Sequence, residues 1–329
     1  MKPFHRIMIM IRTVVLGAML WLFVATAACQ AAALTITPQK FFGYESKPVD
    51  VTVFQPDQQL PGNTKLSREA LRKRVEQEKE KAQAKARTQL VREAFDTVKE
   101  TENAIAAIEN DKTEEALQAL ERVTGKLDII LARKPQLALV PINSSVEIVH
   151  LVPLDVNLVR EMRSEIKNAI ANEDLLEARQ LLNTLANEVR VTTVNLPLAT
   201  YPDAMKEAAR LIDAGKKDLA KNVLEDALST LVITEKYLPI PVIYAQALVD
   251  EASQVVDKDK DQARSLLAEA REQLKLAEEL GYGKRDREYA NLEQAIASLD
   301  RQVRTGEGVA AAFKTLQDQL SSFFQRISV

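Results

Sequence analysis

The side chains able to do polar chemistry are few and widely spaced. The 329-residue sequence has two histidines, His5 and His150, one cysteine, Cys29, and one tryptophan, Trp21. A zinc centre draws on several His, Cys or carboxylate ligands held by outer-shell partners, and the His and Cys share is missing. A Ser-His-Asp or Cys-His machine would have to use His150, which has no nucleophile elbow near it in sequence. In the segment Val149-His150-Leu151-Val152-Pro153, His150 reads as a structural residue on a half-buried strand. Its alternative role is a pH sensor, since histidine titrates near neutrality.

The remaining motifs fail on spacing. Gly306-Glu307-Gly308 lacks the rest of any phosphate-loop fingerprint. Asp257-Lys258-Asp259-Lys260-Asp261 superficially resembles a calcium loop, but lysines interrupt it and the central glycine and terminal Glu are absent. Carboxylates are numerous enough for a two-acid glycosidase. Aromatic residues are only 5 % of the chain, however, too few for the aromatic-lined clefts typical of ligand sites. The reading is therefore non-enzymatic, with no catalytic residue, no cofactor and no metal.

The elements that would position any site begin with an export signal. Lys2, Arg6 and Arg12 precede an apolar run from Thr13 to Ala28, and small residues follow through Ala33. A basic start, an apolar core and an Ala-x-Ala site form a secretory signal, and the run falls short of the roughly 20 residues that span a bilayer. Cleavage near Ala31 or Ala33 would give a periplasmic protein with no membrane span. Thr26-Ala27-Ala28-Cys29 is a weak lipoprotein box, which makes a lipid-anchored Cys29 the lesser alternative. Removal of residues 1–33 takes away the cysteine, the tryptophan and one histidine. It leaves 41 basic against 47 acidic residues, a net charge of −6 that carries no footprint for nucleic acid.

The fold class reads as mainly α. Ala, Leu, Glu, Lys, Gln and Arg dominate, and these are strong helix formers. Residues 34–66 are irregular and rich in proline, with Val49, Val51 and Val53 alternating like a short strand. Residues 67–88 predict an exposed, charge-laced helix. Within residues 89–280 the pattern Ala-x-x-aliphatic-Leu recurs four times, from Ala116, Ala178, Ala220 and Ala263, at spacings of 62, 42 and 43 residues. Each copy follows a polar break and an upstream helical stripe, so each unit predicts a helix hairpin. Asp174 with Glu177, and Asp259 with Gln262, have capping-box spacing. Uneven spacing argues against a uniform solenoid and makes a bundle with internal two-fold similarity at least an equal reading, the choice between repeat stack and closed bundle staying open. Proline-bearing apolar connectors at 134–141, 196–202 and 238–241 separate the units, and a small β-hairpin is expected near 137–152.

Residues 281–329 form a C-terminal helical extension. Its last helix places Phe313, Leu316, Leu320, Phe323 and Ile327 on one seam, a candidate partner or oligomer contact, or else a face for packing on its own domain.

Several segments together carry a resemblance. Glu177 through Ala186, Leu196-Pro197-Leu198-Ala199-Thr200-Tyr201-Pro202, Ala214-Gly215-Lys216 and Leu238-Pro239-Ile240-Pro241 resemble the YfdX family, as does Leu139-Val140-Pro141-Ile142. The similarity spans roughly 89–280. It implies an exported bacterial helical protein of stress and transmissible heat-resistance loci, one that forms homo-oligomers and protects other proteins as a chaperone would. The added helix and tail are similar to the longer, heat-resistance-locus type. The alternatives are an adaptor for one defined periplasmic partner and a small-ligand or pH-sensing helical protein.

Overall fold

The computed structural model describes residues 68–151, 155–283, 285–306 and 308–328. The segment expected to be an export signal, Cys29 and the expected short strand at 49–53 lie outside the described residues. Among the described residues there are eleven helices and three strands. Helix α1 is Arg68–Gln89, followed by α2 (Arg92–Glu109) and α3 (Thr113–Arg133). Strand β1 (Leu139–His150) leads into α4 (Val156–Ala171) and α5 (Leu175–Thr184). Strand β2 (Asn187–Pro197) leads into α6 (Tyr201–Asp213) and α7 (Lys217–Ser229). Strand β3 (Val232–Pro239) runs into α8 (Ile240–Val255), α9 (Lys260–Glu279), α10 (Tyr289–Thr305) and α11 (Val309–Ile327).

The second helix of each hairpin contains one copy of the repeat. Ala116, Ala178, Ala220 and Ala263 are all buried, which lets the paired helices approach closely. The first three turns share one geometry. Asp111, Glu173 and Gly215 have positive φ, and the next residue's N–H reaches back to Ala107, Ala169 and Leu211 carbonyls at 2.9, 2.9 and 2.8 Å. This is a Schellman ending, which satisfies the last carbonyls of the first helix. Asp174 and Asp259 cap the second helices as their spacing predicts, accepting from the Glu177 and Gln262 N–H groups at 3.0 and 2.7 Å.

The proline-bearing connectors each include the end of a strand. The strands form an antiparallel sheet in the order β1-β2-β3. The hairpin expected near 137–152 is instead one continuous strand. Asn143, Ser144 and Ser145 resemble a turn in sequence, but they lie opposite Val194, Thr193 and Thr192 of β2. Their polarity therefore matches a polar waist across the sheet, where Thr234 of β3 also faces Thr193. Proline sits where a ladder tolerates a missing donor. Pro141 lies at a bulge, Pro197 and Pro239 end their strands, and Pro241 occupies the first turn of α8.

The sheet spans two apolar cores. Val140, Ile142 and Leu196 join α2, α3, α6 and α7 in one; Val189 and Leu238 join α8–α11 and the buried side of α1 in the other. Hairpin α2–α3 packs on α6–α7 through α3 with α6 and α2 with α7. Helix α8 packs on α1 and α11 besides its own partner α9. Paired bundles, not a solenoid stack, result.

Helix α1 is not simply a solvated helix. Leu71, Val75 and Ala86 are buried, while Glu76 with Lys79 and Glu78 with Lys81 form ion pairs along the helix at i,i+3 spacing. Asp250 of α8 links both added elements, accepting from Arg74 of α1 at 3.2 Å and Gln317 of α11 at 2.9 Å. A further polar lock closes one end of the sheet. Tyr282 donates to Glu188 Oε2 at 2.6 Å, and Arg190 donates twice to Glu188 Oε1, at 3.0 and 2.8 Å.

Candidate protein-binding surface

The four hairpins share one sequence register, so equivalent positions can be compared directly. Four residues after the repeat alanine stand Leu120, Leu224 and Leu267, all 2 % exposed or less. The second hairpin has Leu182 there, and it is 53 % exposed. Eight residues before the alanine, Ile108 and Ile212 are buried while Ile170 is 51 % exposed. The leucine position is buried in all three other copies, and the isoleucine position in two of them, Val255 of the fourth being partly buried. In the α4–α5 hairpin both positions face outward.

Packing explains the difference. Hairpin α4–α5 meets the rest of the fold mainly through α4 against α9. Helix α5 packs chiefly on α4, and Ala178 is its single fully buried residue. Helix α8, the counterpart of the α6 against which α3 packs, makes its helix contacts outside its own hairpin with α1 and α11 and not with α5.

Two more leucines widen the patch. Leu175 and Leu176 are 67 % and 69 % exposed. The other copies have Thr113-Glu114, Lys217-Asp218 and Lys260-Asp261 at those positions. Leu175 and Leu182 lie seven residues apart, on one side of α5, with Leu176 beside them. Covering each on a partner would gain on the order of 1–2 kcal/mol, since about half of each side chain remains to be buried. Glu173, Asp174 and Glu177 form a polar margin, and Asp174 is committed to the helix cap. Such an apolar patch with a polar rim has the form of a protein-interaction site. Sequence reading missed it; superposing the four copies would have singled out Leu175-Leu176 as apolar where the others are polar or charged.

The seam of the last helix finds its partner within the chain. Phe313, Leu316, Leu320 and Phe323 are 3 % exposed or less and belong to the core with α8, α9 and α10; Ile327 is half-buried against it. The fold therefore leaves this seam no free apolar face for a second copy. Gly283, at φ +72°, lies so close to Phe323 that a Cβ there would come within 2.5 Å of the ring.

His150 ends β1 opposite Asn187. Burial, and then the positive charge of Arg72, hold its pKa below the ordinary histidine value, so the neutral ring is favoured. Among the described residues no group of three His, Cys, Asp or Glu side chains could hold a metal ion, and no helix is long and apolar enough to cross a membrane.

Residues 97–237 match the family model described as YfdX protein. That match runs from within α2 to within β3, spanning most of the first hairpin, the next two and most of the sheet, and stops before α8. It is narrower than the 89–280 suggested by the sequence resemblance. The structure is similar to that of Salmonella Typhi YfdX, at 15 % identity over 46 % of this chain and 93 % of that one, with a TM-score of 0.31. No curated protein matches the chain.

Proposed function

We propose that this chain, whose residues 97–237 match the YfdX family model, is an exported, non-enzymatic stress-tolerance protein that holds other proteins through the α4–α5 hairpin. The observation that carries the reading is the outward position of Leu182, buried in all three other copies of the repeat, and of Ile170, buried in two of them. Unfolding clients expose apolar segments, and a patch of leucines on a hairpin supplies a non-directional surface for them. The basic, apolar and small-residue pattern of residues 1–33 supports work in the periplasm. Self-association uses the same face when no client is present.

The test is suppression of aggregation of a heat-labile client at physiological salt. The wild-type chain should delay aggregation at a few-fold molar excess, and a Leu176→Glu/Leu182→Glu double variant should lose most of that effect. Equal protection by both would move client binding elsewhere, and no protection by either would end the holdase reading. Capture of one stoichiometric partner from periplasmic extract, in place of a mixture, would instead favour the adaptor.

A further inference from the structure

A second site lies away from the exposed hairpin and is independent of the holdase reading. Helix α1, strands β2 and β3, and the end of α11 enclose an open groove of about 580 Å³. Its floor is apolar: Val191 and Leu238 from the sheet, Ala82 and Ala86 from α1, and Phe324 from α11. Its charge is unbalanced. Lys81 is neutralised by Glu78, three residues before it, at 2.8 Å. Lys85 and Lys236 also line the groove, and neither forms an ion pair among the described residues.

The sequence accounts for this imbalance. Lys79 and Lys81 each follow a glutamate by three residues, whereas Lys85 has Ala82 and Lys81 at the corresponding backward steps and Thr88 and Gln89 ahead. Lys236 sits opposite Val191 in the β2–β3 register, which directs its stem along the same floor. Burial, and then repulsion from Lys85, push the Lys236 ammonium below its ordinary pKa. Two like charges therefore face one another across an apolar surface, in a chain whose overall charge is negative.

We propose that this groove binds an anionic amphiphile, a carboxylate on a medium-length alkyl chain, with the head between Lys85 and Lys236 and the tail over Val191, Leu238 and Phe324. An anion between the two ammonium groups relieves their repulsion, and the chain covers the apolar floor. The volume lies in the roughly 300–1,000 Å³ range of small-ligand sites. A purely ionic ligand would leave the floor wet, and a cationic one would add a third like charge.

Calorimetric titration of the purified chain with decanoate, below its micelle concentration, tests the assignment. One decanoate should bind per chain, and Lys85→Glu/Lys236→Glu should weaken it at least tenfold. Decyltrimethylammonium should bind the wild type poorly and the charge-reversed chain better. Both lysines are exposed, so folding should persist; the neutral pair Lys85→Gln/Lys236→Gln gives the same reading should the reversed chain fail to fold. Unchanged decanoate affinity in these variants would overturn the proposal. So would inorganic phosphate binding as tightly as decanoate. So would loss of binding in Leu176→Glu/Leu182→Glu, because the ligand would then lie on the hairpin.

Discussion

Leu182 and Leu224 occupy the same position of the repeat, yet Leu224 is wholly buried between packed hairpins while Leu182 is 53 % exposed. One sequence pattern thus serves two ends, core packing in one copy and an open face in another. The two leucines should separate cleanly on mutation. Leu224→Ala removes a fully packed side chain and should cost about 2–5 kcal/mol, while Leu182→Ala should change stability by about 0.5 kcal/mol or less. Urea unfolding of both variants checks the contrast. Equal costs would mean that α5 is docked more tightly than its exposure indicates.

Much of the helical organisation was legible because it rests on local rules. The 3.6-residue stripes, polar breaks and Asp caps act within a few residues, so the four hairpins could be read from the Ala-x-x-aliphatic-Leu copies alone. The sheet was not, because strand pairing is long-range. Asn143-Ser144-Ser145 looks like a turn until Thr192 and Thr193 are placed opposite it, some 50 residues later. Leu182 shows the deeper limit. Its residue type and spacing match the buried leucines, and only the absence of a covering helix exposes it. The last helix left two readings open in sequence, packing within the chain or between chains, and α8 and α10 meet Phe323 and Leu320 inside the same chain.

The turn of the second hairpin stores removable strain. Glu173 holds φ +61° in the Schellman position that Gly215 fills at φ +70° in the third hairpin. A side chain in this left-handed region costs on the order of 1 kcal/mol, and glycine has no such penalty. Glu173→Gly should therefore raise stability by about 0.5–1 kcal/mol, and Gly215→Glu should lower it by a similar amount. Thermal unfolding of the pair tests this; a destabilised Glu173→Gly would show that the carboxylate makes a compensating contact.

The bond from Tyr282 to Glu188 ties the chain break after α9 to the start of β2. The Tyr282 hydroxyl also accepts from the Asn187 N–H at 3.2 Å, so one oxygen serves two buried partners. Glu188's side chain is 5 % exposed and keeps Arg190 as its other partner. Tyr282→Phe deletes the hydroxyl with little change of shape, and should cost about 1–3 kcal/mol because it leaves two buried groups short of a partner. Chemical denaturation measures the cost, and a loss below about 0.5 kcal/mol would mean that other contacts replace the bond.

Two half-buried groups should give stability opposite pH slopes. Burial pushes Glu269 on α9 from 4.5 up to about 7, and its Oε1 has no hydrogen-bond partner among the described residues. The folded chain thus holds this proton more tightly than the unfolded chain, so stability falls as pH rises from 4.5 to about 7 and is level beyond. Glu269→Gln removes that loss. It should stabilise by about 1–2 kcal/mol at pH 8, after discounting for partial solvent screening, and by nothing at pH 4. His150 acts the other way. Its pKa lies below 6.5 in the fold, so as pH falls below 6.5 the unfolded chain takes up a proton that the folded chain resists, and stability drops until the folded pKa is passed. His150→Gln should therefore flatten the acid side of the curve, while Glu269→Gln flattens the region between 4.5 and 7 in the opposite sense. Unfolding free energies measured from pH 4 to 8 for the wild type and both variants distinguish the two. A wild-type curve reproduced by His150→Gln would exclude His150 as a source of acid sensitivity, and with it a pH-sensing role for that residue.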